Sequence, residues 1–192
     1  MEKIILQQLE ESLQIKRQFI EAQIDNIILA AQKLAACLRT GNKILIFGNG
    51  GSAADAQHLA AEFVNRFKIE RPPLAAIALT TDTSILTSIG NDYRFDDIFS
   101  KQIEALGHKN DIAWGMSTSG NSKNVLQAIE MANEKELFSI AFTGRGGPLA
   151  KCAQLVFTAP SDDTARIQEA HITLGHILCD LVERTLFPEK YN

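Results

Sequence analysis

The feature that most constrains this chain is a rhythm that begins at Lys43. Five short apolar runs, at 43–47, 75–79, 112–116, 138–142 and 155–158, alternate with helical stretches at about 52–67, 83–89, 96–106, 122–135, 148–152 and 164–186. The runs lack polar alternation, as strands covered on both faces do. Strands separated by helices predict a parallel sheet with right-handed crossovers, a three-layer α/β fold. Five strands suit the flavodoxin-like order 2-1-3-4-5. In that order the loops after the first and third strands flank the switch point where ligands bind. Those two loops are also the richest in Gly and Ser.

Ahead of the first strand, residues 3–40 read as helix. Leu6, Leu9, Leu13, Ile20, Ile24, Ile27, Ala31, Leu34 and Leu38 recur at spacings of three, four and seven. Asp25-Asn26 favours caps and is the expected break into two helices. Gly41 closes the stretch. The apolar stripe is expected to pack against another subunit. The chain is expected to be one domain over 1–192, with 1–40 as the helical segment used in oligomer packing.

At 192 residues the length suits one well-buried domain. The net charge of −4, with no Lys/Arg block, gives no reason to expect nucleic acid or an anionic membrane as partner. Any phosphate must then be held by local geometry. Cys37, Cys152 and Cys179 are odd in number, widely spaced and free of CxxC pairing, so they read as reduced thiols. No apolar run approaches the ~18 residues of a spanning helix, and Met1–Gln7 does not resemble a secretory signal. A cytoplasmic location is the expectation.

The first loop is Gly48-Asn49-Gly50-Gly51-Ser52, between a strand and a helix. Glycines let a ligand approach backbone N–H groups, and a helix N-terminus favours negative charge. A P-loop is excluded, because no lysine follows in the required position. A GxGxxG/A dinucleotide pattern is met in form by Gly48, Gly50 and Ala53, but no acidic residue ends the second strand at the required distance. The second loop is Ser117-Thr118-Ser119-Gly120-Asn121-Ser122. Helix capping needs one hydroxyl, and this loop has four, which points to a phosphate monoester cradled without fixed cations. In the third loop, Thr143–Pro148, Arg145 is a further candidate for an anion.

His58 and Glu62 are four residues apart and share a helix face. They can bind one metal, act as a base with its orienting partner, or form a plain surface pair. The last helix carries Gln168, His171 and His176. Gln168 and His176 differ by about 80° around the axis and lie roughly 12 Å apart along it. Either both lean toward one metal or they serve sites in different subunits. His171 faces away from His176 and reads as a packed or interface histidine.

Gly48–Ser52, Gly90-Asn91-Asp92, Ser117–Ser122 and Ala165-Arg166-Ile167-Gln168-Glu169 together resemble the phosphoheptose isomerase family, within the wider group built on the sugar isomerase (SIS) domain. The resemblance spans the whole chain. It implies an aldose–ketose isomerase that converts sedoheptulose 7-phosphate to D-glycero-D-manno-heptose 7-phosphate through an enediol, the first step toward the heptoses of lipopolysaccharide. It implies a homotetramer with sites at subunit interfaces, and one zinc per subunit held by His58, Glu62, Gln168 and His176. Acid/base roles fall on Glu62 and His176. Sugar contacts fall on Asn49, Gly50, Gly51, Asn91, Asp92 and Gln168. Phosphate contacts fall on Ser117, Thr118, Ser119 and Ser122, with Ser52 nearby and Arg66 as a further contributor. Ala165 stands where some isomerases carry an acidic residue. The same fold also hosts tetrameric scaffolds that bind a replication initiator and lack the acid/base pair. A non-catalytic scaffold is therefore the alternative expectation.

Overall fold

The computed structural model describes residues 1–191. Five strands, β1 (Ile44–Gly48), β2 (Ala76–Ala78), β3 (Ile112–Ser117), β4 (Phe138–Thr143) and β5 (Leu155–Thr158), pair in parallel in the order β2-β1-β3-β4-β5. This is the expected topology. The register places Gly48 beside Met116 and Ser117 beside Thr143. The carboxyl ends of β1, β3 and β4 therefore present their loops together.

Strand side chains alternate between two buried layers. Ile44, Ile46, Trp114 and Phe142 face a core with α2 (Ile24–Arg39), α3 (Gly51–Val64) and α8 (Thr164–Leu186). Leu45, Phe47, Ala113 and Ala141 face a second core with α5 (Ser100–Leu106), α6 (Lys123–Glu134) and α7 (Leu149–Cys152). Burial on both faces is why the strands read as continuous apolar runs. Among the described residues, no helix is long and apolar enough to cross a membrane.

Several boundaries differ from the sequence expectation. The N-terminal break falls at Ala22-Gln23, between α1 (Glu2–Glu21) and α2, and not at Asp25-Asn26. The Gln23 side chain donates to Phe19 O at 2.9 Å and accepts from Thr158 N at 3.2 Å. A long-range contact with the end of β5 thus sets the bend. The helix expected at 96–106 is instead a 3₁₀ turn, Phe95–Asp97, followed by α5. Between them Ile98 and Phe99 are buried in the second core. The helix α4 (Thr83–Asp92) continues through Gly90-Asn91-Asp92.

The two halves of α1 differ. Ser12 and Phe19 are buried, whereas Ile4, Ile5, Leu6, Leu9 and Leu13 are at least half exposed.

Candidate active site

The helices α3 and α8 pack side by side and in parallel. At one end the Gln168 side chain lies over Gly51, where an added Cβ would stand 2.5 Å from Nε2. About two turns further along each helix, Gly175 admits Leu59, and a Cβ there would stand 2.6 Å from Leu59 Cδ2. Close approach at these glycines brings the next side chains together. His58 Nε2 and His176 Nε2 are 2.8 Å apart, and His58 Nε2 is 3.4 Å from Glu62 Oε1. Phe67 stacks on His176 with ring centroids 5.5 Å apart. Burial lowers the pKa of His176, with the neighbouring His58 adding to the effect and Glu62 opposing it. His176 is therefore neutral at neutral pH and keeps a lone pair for a metal or a proton.

His58, Glu62 and His176 offer ligand atoms that all lie within 4.8 Å of one another. Two imidazole nitrogens and one carboxylate oxygen are donors that zinc accepts. Two nitrogens bound to tetrahedral zinc sit roughly 3.3 Å apart, so a small opening of the histidine pair admits the ion. The donor set fits zinc on chemistry and spacing.

The serine loop sits at the carboxyl end of β3. Ser117 Oγ is 2.9 Å from Ser122 Oγ and 3.5 Å from Ser119 Oγ. Ser122 is the N-cap residue of α6 yet its side chain makes no capping hydrogen bond. Capping therefore does not account for that hydroxyl, which turns inward to Ser117. Thr118 and Ser119 line a cavity of about 310 Å³ with Asn121 and Arg145. Arg145 is paired with Asp162 at 2.8 Å on the exposed rim. The first loop is tied to this cradle by a reciprocal amide pair. Asn49 Nδ2 donates to Asn124 Oδ1, and Asn124 Nδ2 donates to Asn49 Oδ1, both at 2.9 Å. Ser52 is buried in the first turn of α3.

The structure therefore unites His58, Glu62 and His176, and separately unites Ser117, Ser119 and Ser122. Gln168 lies over Gly51. His58 and Glu62 lie seven and eleven residues along α3 from Gly51, about 10 and 16 Å by helix rise. Asn91 donates to Asp92 at 2.8 Å at the exposed end of α4. Arg66 faces Glu70 at 3.6 Å on the surface. His171 is packed, as the helical count implied. It is fully buried, and Nε2 lies 3.0 Å from Thr143 O.

Sequence reasoning missed four residues. Asn124 follows the serine loop by two positions, and its location opening a helix beside the Asn49 loop was a usable signal. Phe67 stacks on a histidine more than 100 positions away, which sequence does not announce. Asp55 has a carboxyl pushed up to about 6 by burial, partly offset by His58. Its Oδ2 is buried without a hydrogen-bond partner. Arg71, buried against Glu183, completes the set.

The architecture is that of an SIS domain, and the family model of that description matches residues 7–144. The phosphoheptose isomerase of Thermodesulfovibrio yellowstonii is 58% identical over 93% of this chain and 89% of that protein. That of Aquifex aeolicus is 57% identical over 90% and 91%. The structure of phosphoheptose isomerase from Neisseria gonorrhoeae superposes with a TM-score of 0.89 at 45% identity, covering 95% of this chain and 98% of that one. The chain belongs to the phosphoheptose isomerase family.

Proposed function

We propose that the protein is an aldose–ketose isomerase converting sedoheptulose 7-phosphate to D-glycero-D-manno-heptose 7-phosphate, at the start of heptose supply for lipopolysaccharide. The observation that carries this reading is the meeting of Glu62 and His176 around His58, on two helices joined by no local sequence logic. Full-length kinship with phosphoheptose isomerases supports the substrate. A scaffold without catalysis would give the His58–Glu62–His176 cluster no role.

The reaction moves a proton between adjacent carbons through an enediol. Glu62 takes the carbon-bound proton and returns it to the neighbouring carbon. His176, neutral and half-buried, carries protons to and from the substrate oxygens. Groups positioned in this way typically contribute ~10²–10⁴-fold each. His58, Glu62 and His176 would hold zinc, with Gln168 as the further donor on the same helix interface. Zinc, when bound, supplies Lewis-acid stabilisation of negative charge on the substrate oxygens. Ser117, Thr118, Ser119 and Ser122 hold the phosphate, and Ser52 backs the cradle. Asn49, Gly50, Gly51, Asn91, Asp92 and Gln168 contact the sugar. Binding at the remote phosphate fixes the chain so that the reacting carbons meet Glu62.

The protein works as a cytoplasmic homotetramer with sites at subunit interfaces, and the whole chain acts as one SIS unit. Two observations support this. The N-terminal half of α1 leaves a row of large apolar side chains uncovered. The first loop, which adjoins the serine cradle through Asn49 and Asn124, and the His58–Glu62 turn are also separated along α3, a gap that a second copy can close.

Incubating purified protein with sedoheptulose 7-phosphate tests the reading. An aldose 7-phosphate product is expected, with turnover lost in Glu62→Gln and in His176→Asn. Full turnover in both variants would remove the acid/base assignment.

A further inference from the structure

Arg71 and Glu183 form an ion pair at 2.8 Å in which each side chain is 1% exposed. Neither touches the reacting groups, and the mechanism above gives them no task. Their remaining bonds are not those of a simple salt bridge. The Arg71 guanidinium donates to Glu62 O at 2.7 Å and to Phe63 O at 2.8 Å, with longer bonds to Asn65 O and Pro72 O. These carbonyls include the last of α3, which have no partner inside the helix. A guanidinium offers five donors in a fixed planar fork, and here that fork is spent on the turn that carries Glu62.

Glu183 completes the other half. Its Oε1 accepts from Phe67 N at 2.9 Å, and Oε2 accepts from Lys68 N at 3.0 Å and from Tyr191 OH at 3.1 Å. Burial alone would raise its pKa. The Lys68 and Phe67 amides, Arg71 and Tyr191 outweigh that and bring it below the usual carboxylate range. Glu183 lies two helical turns beyond His176 on α8. Phe67, whose amide it holds, has the ring that stacks on His176.

We propose that Arg71 and Glu183 are positioning residues for the isomerase reaction, clamping the end of α3 to α8 so that Glu62 and His176 keep their working separation. This rests on the acid/base and metal reading of that cluster. The pair fixes both ends of the arrangement, through the backbone of Glu62 on one side and the helix of His176 on the other. Misplacement of reacting groups by about 1 Å can cost ~10²-fold in rate.

The test compares Arg71→Lys and Glu183→Gln with Asp111→Asn. Arg71→Lys keeps the charge and loses the fork. Glu183→Gln keeps the shape and loses the charge. Asp111 is equally buried and bonds Lys43 and His108 at the starts of β1 and β3, not α3 or α8, so it is a structural control. Thermal melts establish that each variant is folded at the assay temperature. If Arg71→Lys does not fold, Glu183→Gln carries the same test.

Both clamp variants are expected to lose at least tenfold in kcat with KM within about twofold of the parent. Zinc affinity, titrated on folded apoprotein, is expected to fall in parallel. Asp111→Asn is expected to lower Tm with kcat and zinc affinity unchanged. Wild-type kcat and zinc affinity in the folded clamp variants would overturn the positioning role. So would an equal loss in Asp111→Asn. If Glu62→Gln and His176→Asn themselves turn over normally, the underlying site reading fails instead, and the two failures are told apart.

Discussion

His58 Nε2 and His176 Nε2, 118 positions apart in sequence, face each other at 2.8 Å. In this arrangement one ring nitrogen must donate a proton and the other accept it. His58, His176 and Glu62 would hold a divalent cation in place of that proton, with Glu62 supplying compensating charge. Zinc added to apoprotein is therefore expected to stabilise the fold. At a hundredfold excess over Kd the gain is about 2.7 kcal/mol, or roughly 5–10 °C in Tm for a chain of this size. A chelator should reverse it, and His58→Ala should abolish it. Identical melts with and without zinc would remove the metal site.

The phosphate cradle predicts a different kinetic signature. Ser119 lies 3.5 Å from Ser117 Oγ and is exposed to incoming ligand. Ser119→Ala removes a donor far from the reacting carbons. KM is expected to rise several-fold, with a smaller change in kcat than in Glu62→Gln. Steady-state kinetics on the two variants side by side decide whether the loop binds phosphate.

Burial of His171 makes a stability prediction. Nε2 faces the Thr143 carbonyl, which can only accept, so the proton sits on Nε2 and Nδ1 is left buried without a partner. Burial pushes the pKa down to about 4, opposed by the Thr143 bond. Below an unfolded value of ~6.5 the unfolded chain binds a proton that the folded chain refuses. This contribution is fully present above pH 6.5 and is lost as pH falls toward 4, to a total of about 3 kcal/mol. Urea unfolding at pH 7.5, 6 and 5 should show a shallower pH dependence in His171→Gln than in the parent. Equal slopes would place the acid sensitivity elsewhere.

The exposed apolar row on α1 predicts its own loss of assembly. Leu9 and Leu13 are 55% and 50% exposed on the same face. Leu9→Glu/Leu13→Glu costs little within one chain, because neither side chain is in the core. Sedimentation is expected to show tetramers for the parent and smaller species for the double variant, with lower turnover. An unchanged tetramer would move the interface off α1.

Much of this was legible in sequence, for identifiable reasons. The sheet announced itself because Ile44–Phe47 and Ile112–Met116 are buried on both faces and so carry no polar alternation. The serine loop showed because four hydroxyls exceed what one helix start can use, and Ser122 indeed does no capping. His58 and Glu62 were paired by spacing alone. What stayed hidden depends on contacts between distant segments. Gln23 sets the α1–α2 bend through Thr158, on the far side of the sequence. Arg71 stands in a Glu-Arg-Pro-Pro stretch that reads as an ordinary loop, and only folding brings it to Glu183. The helical count set Gln168 about 80° and roughly 12 Å from His176, and only the packing of α3 shows that its side chain lies over Gly51.

The packing of α3 on α8 is itself open to test at Gly175. A methyl group there meets Leu59 Cδ2 at 2.6 Å and Cδ1 at 2.9 Å. Leu59 is fully buried, so its side chain has little room to turn away. The helices must separate by a few tenths of an ångström, at a cost of ~1–3 kcal/mol. His176 is the next residue on α8 and His58 precedes Leu59 on α3, so the separation is delivered directly to the histidine pair. Gly175→Ala is expected to weaken zinc binding and lower kcat, with KM for the phosphate ester nearly unchanged because the serine loop lies on other elements. Leu59→Val in the same chain removes part of the obstructing side chain and should restore part of both losses. If Gly175→Ala binds zinc and turns over like the parent, the helix separation does not control the site.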